Sequence, residues 1–292
     1  MLTFIAFKEV RQCEMIETLK VQLNPNNKQL TKLFQYAGCN RFAYNWTIAR
    51  EQENHKLGNK FLQDGELRKE FTQLKKQENH KWLTNISNDV TKQAIKDACN
   101  SYKRFFKGQS KYPKFKNKKN SKQSFYQDNV KIQFTDTHVK VEGFARSKRP
   151  NKQKLNWIKL CEKGRIPTNC KYMNPRFTFD GLHWWVSVSV EVDDNTDIPT
   201  CEGIGIDLGI KDLAVCSDRN TYKNINKSPK VKKLEKKKRR LQRSVSRKYK
   251  MNKEGVRYRK TSNIIKREKE LLKLSKRLTN IRRNHLHQTT SE

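Results

Sequence analysis

Acidic side chains are scarce in this chain of 292 residues: 29 Asp and Glu stand against 65 Lys and Arg, for a net charge of +36. That imbalance argues against cationic partners and points to polyanions. Nucleic acid fits best, because each phosphate met by Lys or Arg releases condensed counterions. Long apolar runs are missing as well. None approaches the roughly 20 residues of a transmembrane helix, which leaves an anionic membrane surface as the weaker rival. The opening MLTFIAFKEVRQC carries too short an apolar stretch for a secretory signal, so a cytoplasmic protein is expected. Cysteines stand at 13, 39, 99, 161, 170, 201 and 216 with no C-x-x-C pair among them. Their odd number suits a reducing compartment, and their spacing shows neither a disulfide framework nor a zinc ribbon.

The apolar residues that are present, 34% of the chain, suffice for a core, and their period changes along it. After an N-terminal extension (1–14), with Met15 as an alternative start, MIETLKVQLNP alternates like a strand and stops at Pro25, within a first segment of 15–27. From 28 to 108 the period is helical: Ile86, Val90, Ala94, Ala98, Tyr102 and Phe105 share one face, which predicts a small helical bundle. Within it, AGCNRFAYNWTIARE mixes Phe42 and Trp46 with Arg41, Asn45 and Arg50. Such aromatic stripes are usually core, so both rings are expected to pack inside the bundle.

Between 109 and 195 two patterns follow each other. GQSKYPKFKNKKNSKQSFYQ interleaves Lys with aromatics, and Pro113 forbids a helix there. A solvated charge run is one reading. Tyr112, Phe115, Phe125 and Tyr126 argue for the other, in which Lys111, Lys114, Lys116, Lys118 and Lys119 meet phosphates while rings meet bases. VKIQF, HVKVEG, LNWIKL and RFTF-DG-LHWWVSVSVEV then alternate as strands, with Asp180-Gly181 as a hairpin signal. This predicts a small β-barrel that Trp157, Trp184 and Trp185 fill or rim.

The run GIGIDLGIKDLAV, at 203–215, looks like two buried strands with one carboxylate, Asp207, between Gly205 and Gly209. A buried acid is costly unless something binds it. Three readings are open: a metal ligand on a ribonuclease-H-like sheet, part of an actin-like phosphate cradle, or a cap at a strand end. Context favours the first, since the strand follows about two hundred residues of a basic chain and precedes a cationic segment, whereas actin-like ATPases usually begin with it. Residues 227–283 hold 25 basic and 4 acidic side chains. Leu234, Leu241 and Val245 on one arm, and Leu271, Leu274, Leu278 and Ile281 on the other, predict an antiparallel helical hairpin at 230–285, interrupted at Met251 to Thr261. Ordinary solvated helices pair Glu with Lys. This one scarcely does, so Lys236, Lys237, Lys238, Arg239, Arg240 and Arg243 are candidate phosphate contacts.

GIGIDLGIKDLAVCSD closely resembles the first RuvC motif of the TnpB (OrfB) family of transposon-encoded RNA-guided DNA endonucleases, relatives of type V CRISPR effectors. LKVQLNPNNKQ, AGCNRFAYNW, YPKFKNKKNSKQSF and KVKKLEKKKRRLQRSVSRK extend the resemblance, in family order, over nearly the whole chain from Met15. It implies an α+β multidomain protein: a helical bundle inserted into a β-barrel wedge domain, followed by a ribonuclease-H-like (RuvC) domain at 200–292. It also implies guide RNA from the transposon end and target double-stranded DNA as partners, and Asp207 as a catalytic carboxylate on Mg²⁺. The family's strand with a catalytic glutamate, its four-cysteine zinc ribbon and its last aspartate are not found before HLHQTTSE. Glu292 follows Gln288, Thr289, Thr290 and Ser291 rather than an apolar strand, so it is no substitute, and Asp212 and Asp218 are expected to be solvated. One carboxylate cannot hold two Mg²⁺. The resemblance therefore implies RNA and DNA binding with an incomplete, inactive RuvC site, and an edge of Ile204, Ile206 and Leu208 facing water. The alternative is a nuclease-dead binding module or repressor.

Overall fold

The computed structural model describes residues 14–118, 121–145, 154–193 and 203–291. The N-terminal extension up to residue 13, Lys119 and Glu292 lie outside the described residues. The chain divides into two compact units, Met1–Asn195 and Thr196–Glu292.

The first unit begins with β1 (Glu14–Asn24), whose alternation buries Leu19, Val21 and Leu23 and ends at Pro25. Asn26 then starts α1 (Asn27–Lys56) with a reciprocal cap: its side chain accepts from the Gln29 N–H at 2.9 Å, and the Gln29 side chain accepts from its own N–H at 3.0 Å. The same Gln29 amide donates to the Leu155 and Trp157 carbonyls, at 3.0 and 2.8 Å. One buried side chain thus caps the helix and ties it to the sheet. Next come α2 (Asp64–Leu74), a 3-10 segment (Glu78–Asn85) and α3 (Asn88–Phe106), which buries Val90, Ala94, Ala98 and Tyr102 as its period requires. Phe42 and Trp46 do touch the bundle, both against Phe71, with ring centroids 6.4 and 5.0 Å away.

Seven strands form one antiparallel sheet in the order β2-β6-β7-β1-β5-β4-β3. They are β2 (Ser124–Tyr126), β3 (Gln133–Phe134), β4 (His138–Lys140), β5 (Trp157–Leu160), β6 (Tyr172–Phe179) and β7 (Trp184–Asp193), with β1 at the centre. The Asp180-Gly181 signal is the β6–β7 turn. Gly181 takes φ 95°, and the Asp180 carboxylate accepts from the N–H groups of Leu182 and His183 and from the Trp185 indole. Among the described residues no ladder joins β2 to β3, so the sheet is not a hydrogen-bonded barrel. Its two ends meet through a side chain instead: buried Gln127 donates to the Lys140 carbonyl and accepts from the Glu142 N–H, both at 3.3 Å. Trp184 is buried under the helices. Trp157 and Trp185 are half-buried, with the ammonium groups of Lys140 and Lys20 over their rings.

One group in the bundle is poorly satisfied. Glu51 is 4% exposed, its Oε2 accepts only a long 3.4 Å bond from the Leu62 N–H, and its Oε1 has no partner. Burial pushes its carboxyl up to about 7 from an ordinary 4.5. The folded chain therefore favours the neutral acid, and stability is lost as pH rises from the ordinary carboxylate range through about 7. Glu51→Gln should be stabilising by roughly 2–3 kcal/mol at pH 8 and nearly neutral at pH 5. Thermal melts of both proteins across that range check it. A constant difference between them would mean that Glu51 does not titrate in the window.

In the second unit β8 (Ile206–Leu208), β9 (Asp212–Cys216) and β10 (Thr221–Lys223) form an antiparallel sheet in the order β10-β9-β8. Ser228 caps α4 (Pro229–Met251), accepting from the Val231 N–H, with Pro229 in the first turn. A short hairpin of β11 (Lys253–Glu254) and β12 (Arg257–Tyr258) turns the chain into α5 (Ser262–Ser291). The expected helical pair is present. Its seam is narrower than the leucine pattern suggests: Val231, Val245, Ile264, Leu274 and Leu278 are buried, while Leu234, Leu241, Leu271 and Ile281 are half-buried. Two ion pairs, Arg282 with Glu235 and Lys260 with Glu268, join the helices and the turn, and they use two of the few acids in the segment.

Candidate nucleic-acid interface

On α4, Arg239, Gln242, Arg243, Ser246, Arg247 and Lys250 line one shallow groove of about 590 Å³. Steps of three and four residues keep the four cations on one face, about 6 Å apart and along about 16 Å of helix axis. No acid lines this groove. Such a row suits successive phosphates of one strand. Arg239 and Arg243 were expected from composition; Arg247 and Lys250 are additions, and counting the helical period onward from Arg239 would have found them. Lys236, Lys237 and Arg240 are exposed. Lys238 is half-buried, in the row of Leu234, Leu241 and Val245, because a four-residue step from Leu234 returns to the seam.

The segment after α3 is less free than its charge suggests. Asn45 of α1 accepts from the Lys116 N–H and donates to the Lys116 carbonyl, both at 2.8 Å. The Lys116 ammonium lies 3.5 Å from the centre of the Tyr44 ring, and burial lowers its pKa. It is therefore held against α1 rather than offered to solvent like Lys111, Lys114 and Lys118, which are exposed. The aromatics divide too. Phe125 is core, Tyr126 is half-buried, Tyr112 packs edge-on against Tyr102 and Phe105, and Phe115 is left 52% exposed.

Asp207 is exposed, not at the end of a buried strand. β8 is an edge strand paired only with β9, and Ile206 at 57%, Leu208 at 76% and Ile210 at 84% stay exposed because no second strand or helix covers them among the described residues. Asp212 is half-buried in β9. Asp218 is solvated, and it also shapes its turn by accepting from the Asn220 N–H and side-chain amide. No group of three or more Asp, Glu, His or Cys side chains that could hold a metal occurs among the described residues. Mg²⁺ takes about six oxygen ligands. Asp207 alone does not fit that requirement. No helix among the described residues is long and apolar enough to cross a membrane.

Comparison with known proteins places these segments. A family model described as a probable transposase (OrfB_IS605) matches residues 186–292, and a helix-turn-helix domain model of the same group matches residues 15–60, which hold β1 and α1. A putative RNA-guided DNA endonuclease, InsQ of Escherichia coli (strain K12), is 27% identical over 277 residues, covering 94% of this chain and 63% of that protein. Another, from Streptomyces pristinaespiralis, is 26% identical over 202 residues, 68% of this chain and 47% of its own length. This chain thus spans between about half and two thirds of the curated relatives it matches. Among solved structures, a CRISPR-Cas12f ternary complex (12% identity, TM-score 0.38, 86% of this chain and 58% of that one) and a Cas12f1–sgRNA–target DNA complex (12%, 0.40, 91% and 76%) resemble it. Two matching family models, one at each end of the described chain, and a relative aligned over nearly all of it agree with the motifs from Met15 onward: the chain belongs to the TnpB/OrfB family.

Proposed function

We propose that this chain binds a guide RNA and the DNA that the guide selects, with the seven-stranded sheet as the wedge domain and the helices between β1 and β2 as its inserted recognition bundle. The strands β8–β10 and the α4–α5 pair are then the opening part of a RuvC-like domain, and the protein works in the cytoplasm. The acid-free cationic row on α4 carries this reading. Guided effectors leave sequence to base pairing and hold the duplex by its shape and backbone, which is what a phosphate-spaced row of Arg and Lys supplies. Asp207 is the position of the first nuclease carboxylate, but the absence of a donor cluster among the described residues favours binding without cutting.

The test joins two measurements on the 292-residue chain. Binding to structured RNA and to duplex DNA should weaken steeply with salt, and Asp207→Ala should leave it unchanged. Incubation with guide RNA, matched DNA and Mg²⁺ should leave the DNA intact. Guide-dependent cleavage that Asp207→Ala abolishes would replace the binding-only reading with a nuclease. Binding that ignores salt would remove the phosphate reading altogether.

A further inference from the structure

An open groove of about 760 Å³ lies along α1 in the first unit. It is within the range of roughly 300–1,000 Å³ in which sites hold a small planar group. It is lined by Gly38, Phe42 and Trp46 of α1, by Trp82 of the 3-10 segment and by Phe115. Two rings project into solvent rather than into the core. Trp82 is 45% exposed, braced by an edge contact with Phe42 at 5.3 Å, and Phe115 is 52% exposed with no aromatic partner among the described residues. The groove's charged lining is cationic, Lys32 and Arg41, with no acid.

Gly38 adds an independent observation. It lies mid-helix in a 30-residue helix, where Gly costs about 1 kcal/mol against Ala, and its backbone is not in a conformation that needs Gly. A Cβ placed there would meet nothing within 4 Å. The helix therefore gains nothing internal from this glycine, and what it leaves is open space in the groove that Trp82 and Phe115 also line.

Building on the nucleic-acid reading above, we propose that this groove is a stacking slot for an unpaired nucleobase, with Trp82 and Phe115 as the stacking rings and Lys32 and Arg41 facing the flanking phosphates. Exposed rings edged by cations suit a base on a phosphate backbone, and the acid-free lining suits an anionic strand. An apolar peptide would fill the same rings but leave the cations unpaired. The slot shares no residue with the cationic row on α4, so the two can be tested apart.

The experiment uses the full chain and a short unpaired oligoribonucleotide, its deoxy equivalent, and the same strands made abasic. Trp82→Ala and Phe115→Ala should each weaken binding of a base-bearing strand on the order of tenfold, with the salt slope unchanged, because no phosphate contact is removed. Gly38→Leu, which removes no ring and keeps helix propensity, should weaken it as much by filling the slot. Abasic strands should bind wild type and variants alike. Loss with the RNA, the DNA or both supports the slot and identifies which strand donates the base. The slot is overturned if all three variants bind base-bearing strands as wild type does, or if the abasic strands lose equally. In either case a steep wild-type salt slope leaves the wider nucleic-acid reading standing, whereas a flat wild-type slope removes both.

Discussion

Replacing Arg239, Arg243, Arg247 and Lys250 together by Ala should cut the slope of log affinity on log salt by about four units. At physiological ionic strength that corresponds to a loss on the order of a thousandfold. The expectation rests on alignment rather than on charge alone. Lys236, Lys237, Lys238, Arg239 and Arg240 carry one more positive charge, but Arg239 is the only one of them lining the groove, and Lys238 is half-buried on the seam. Their joint replacement by Ala should lower the slope by only one to two units, on the order of the contacts removed. Equal slope losses for the two sets would show that the segment acts as a diffuse cationic cloud. No change with either set would mean that the hairpin does not face nucleic acid.

A second large effect is expected at the centre of the first unit. Trp184 is 1% exposed and meets the rings of Phe34, Phe179 and Phe125 at centroid distances of 5.3, 5.5 and 6.0 Å, while Phe125 stacks on Phe177 at 4.9 Å. Trp184→Ala would open a cavity among rings held by both α1 and the sheet, at a cost of about 3–5 kcal/mol. For a unit of this size that lowers the melting temperature by on the order of 10 °C. Trp184→Phe should cost far less, under about 1.5 kcal/mol. It keeps a ring and removes an indole N–H that is buried without an acceptor among the described residues. Calorimetry on the two variants separates the outcomes. Similar losses for both would mean that the indole's full volume is needed.

Several features were legible from local pattern alone. Alternation marked β1 and β7, because a two-residue period on a strand can satisfy only one buried face. Asp180-Gly181 marked the β6–β7 turn through the left-handed conformation that glycine permits, with the Asp carboxylate completing it. The three- and four-residue spacing of apolar residues marked α3 and both arms of the basic hairpin. The scarcity of acids made nucleic acid the expected partner before any coordinate was known. In each case the cause lies within a few residues along the chain.

The tertiary structure decided what pattern could not, because burial depends on which distant segment arrives. Lys116 reads as one more cation in a basic run, yet it is held by Asn45, 71 residues away, and by the Tyr44 ring. Gln29 reads as a capping residue, but its free amide end also fastens the helix to residues 155 and 157. The apolar run around Asp207 specifies what a strand could bury. Whether it is buried depends on a covering layer, and among the described residues β8 has a partner on one edge only. Phe42 and Trp46 looked like core, and they do touch Phe71; the open groove beside them exists because Trp82, Phe115 and Gly38, far apart in sequence, come together around α1. An apolar or charged pattern records a segment's preference, and contact between remote segments sets whether a side chain meets the core, another ring, or water.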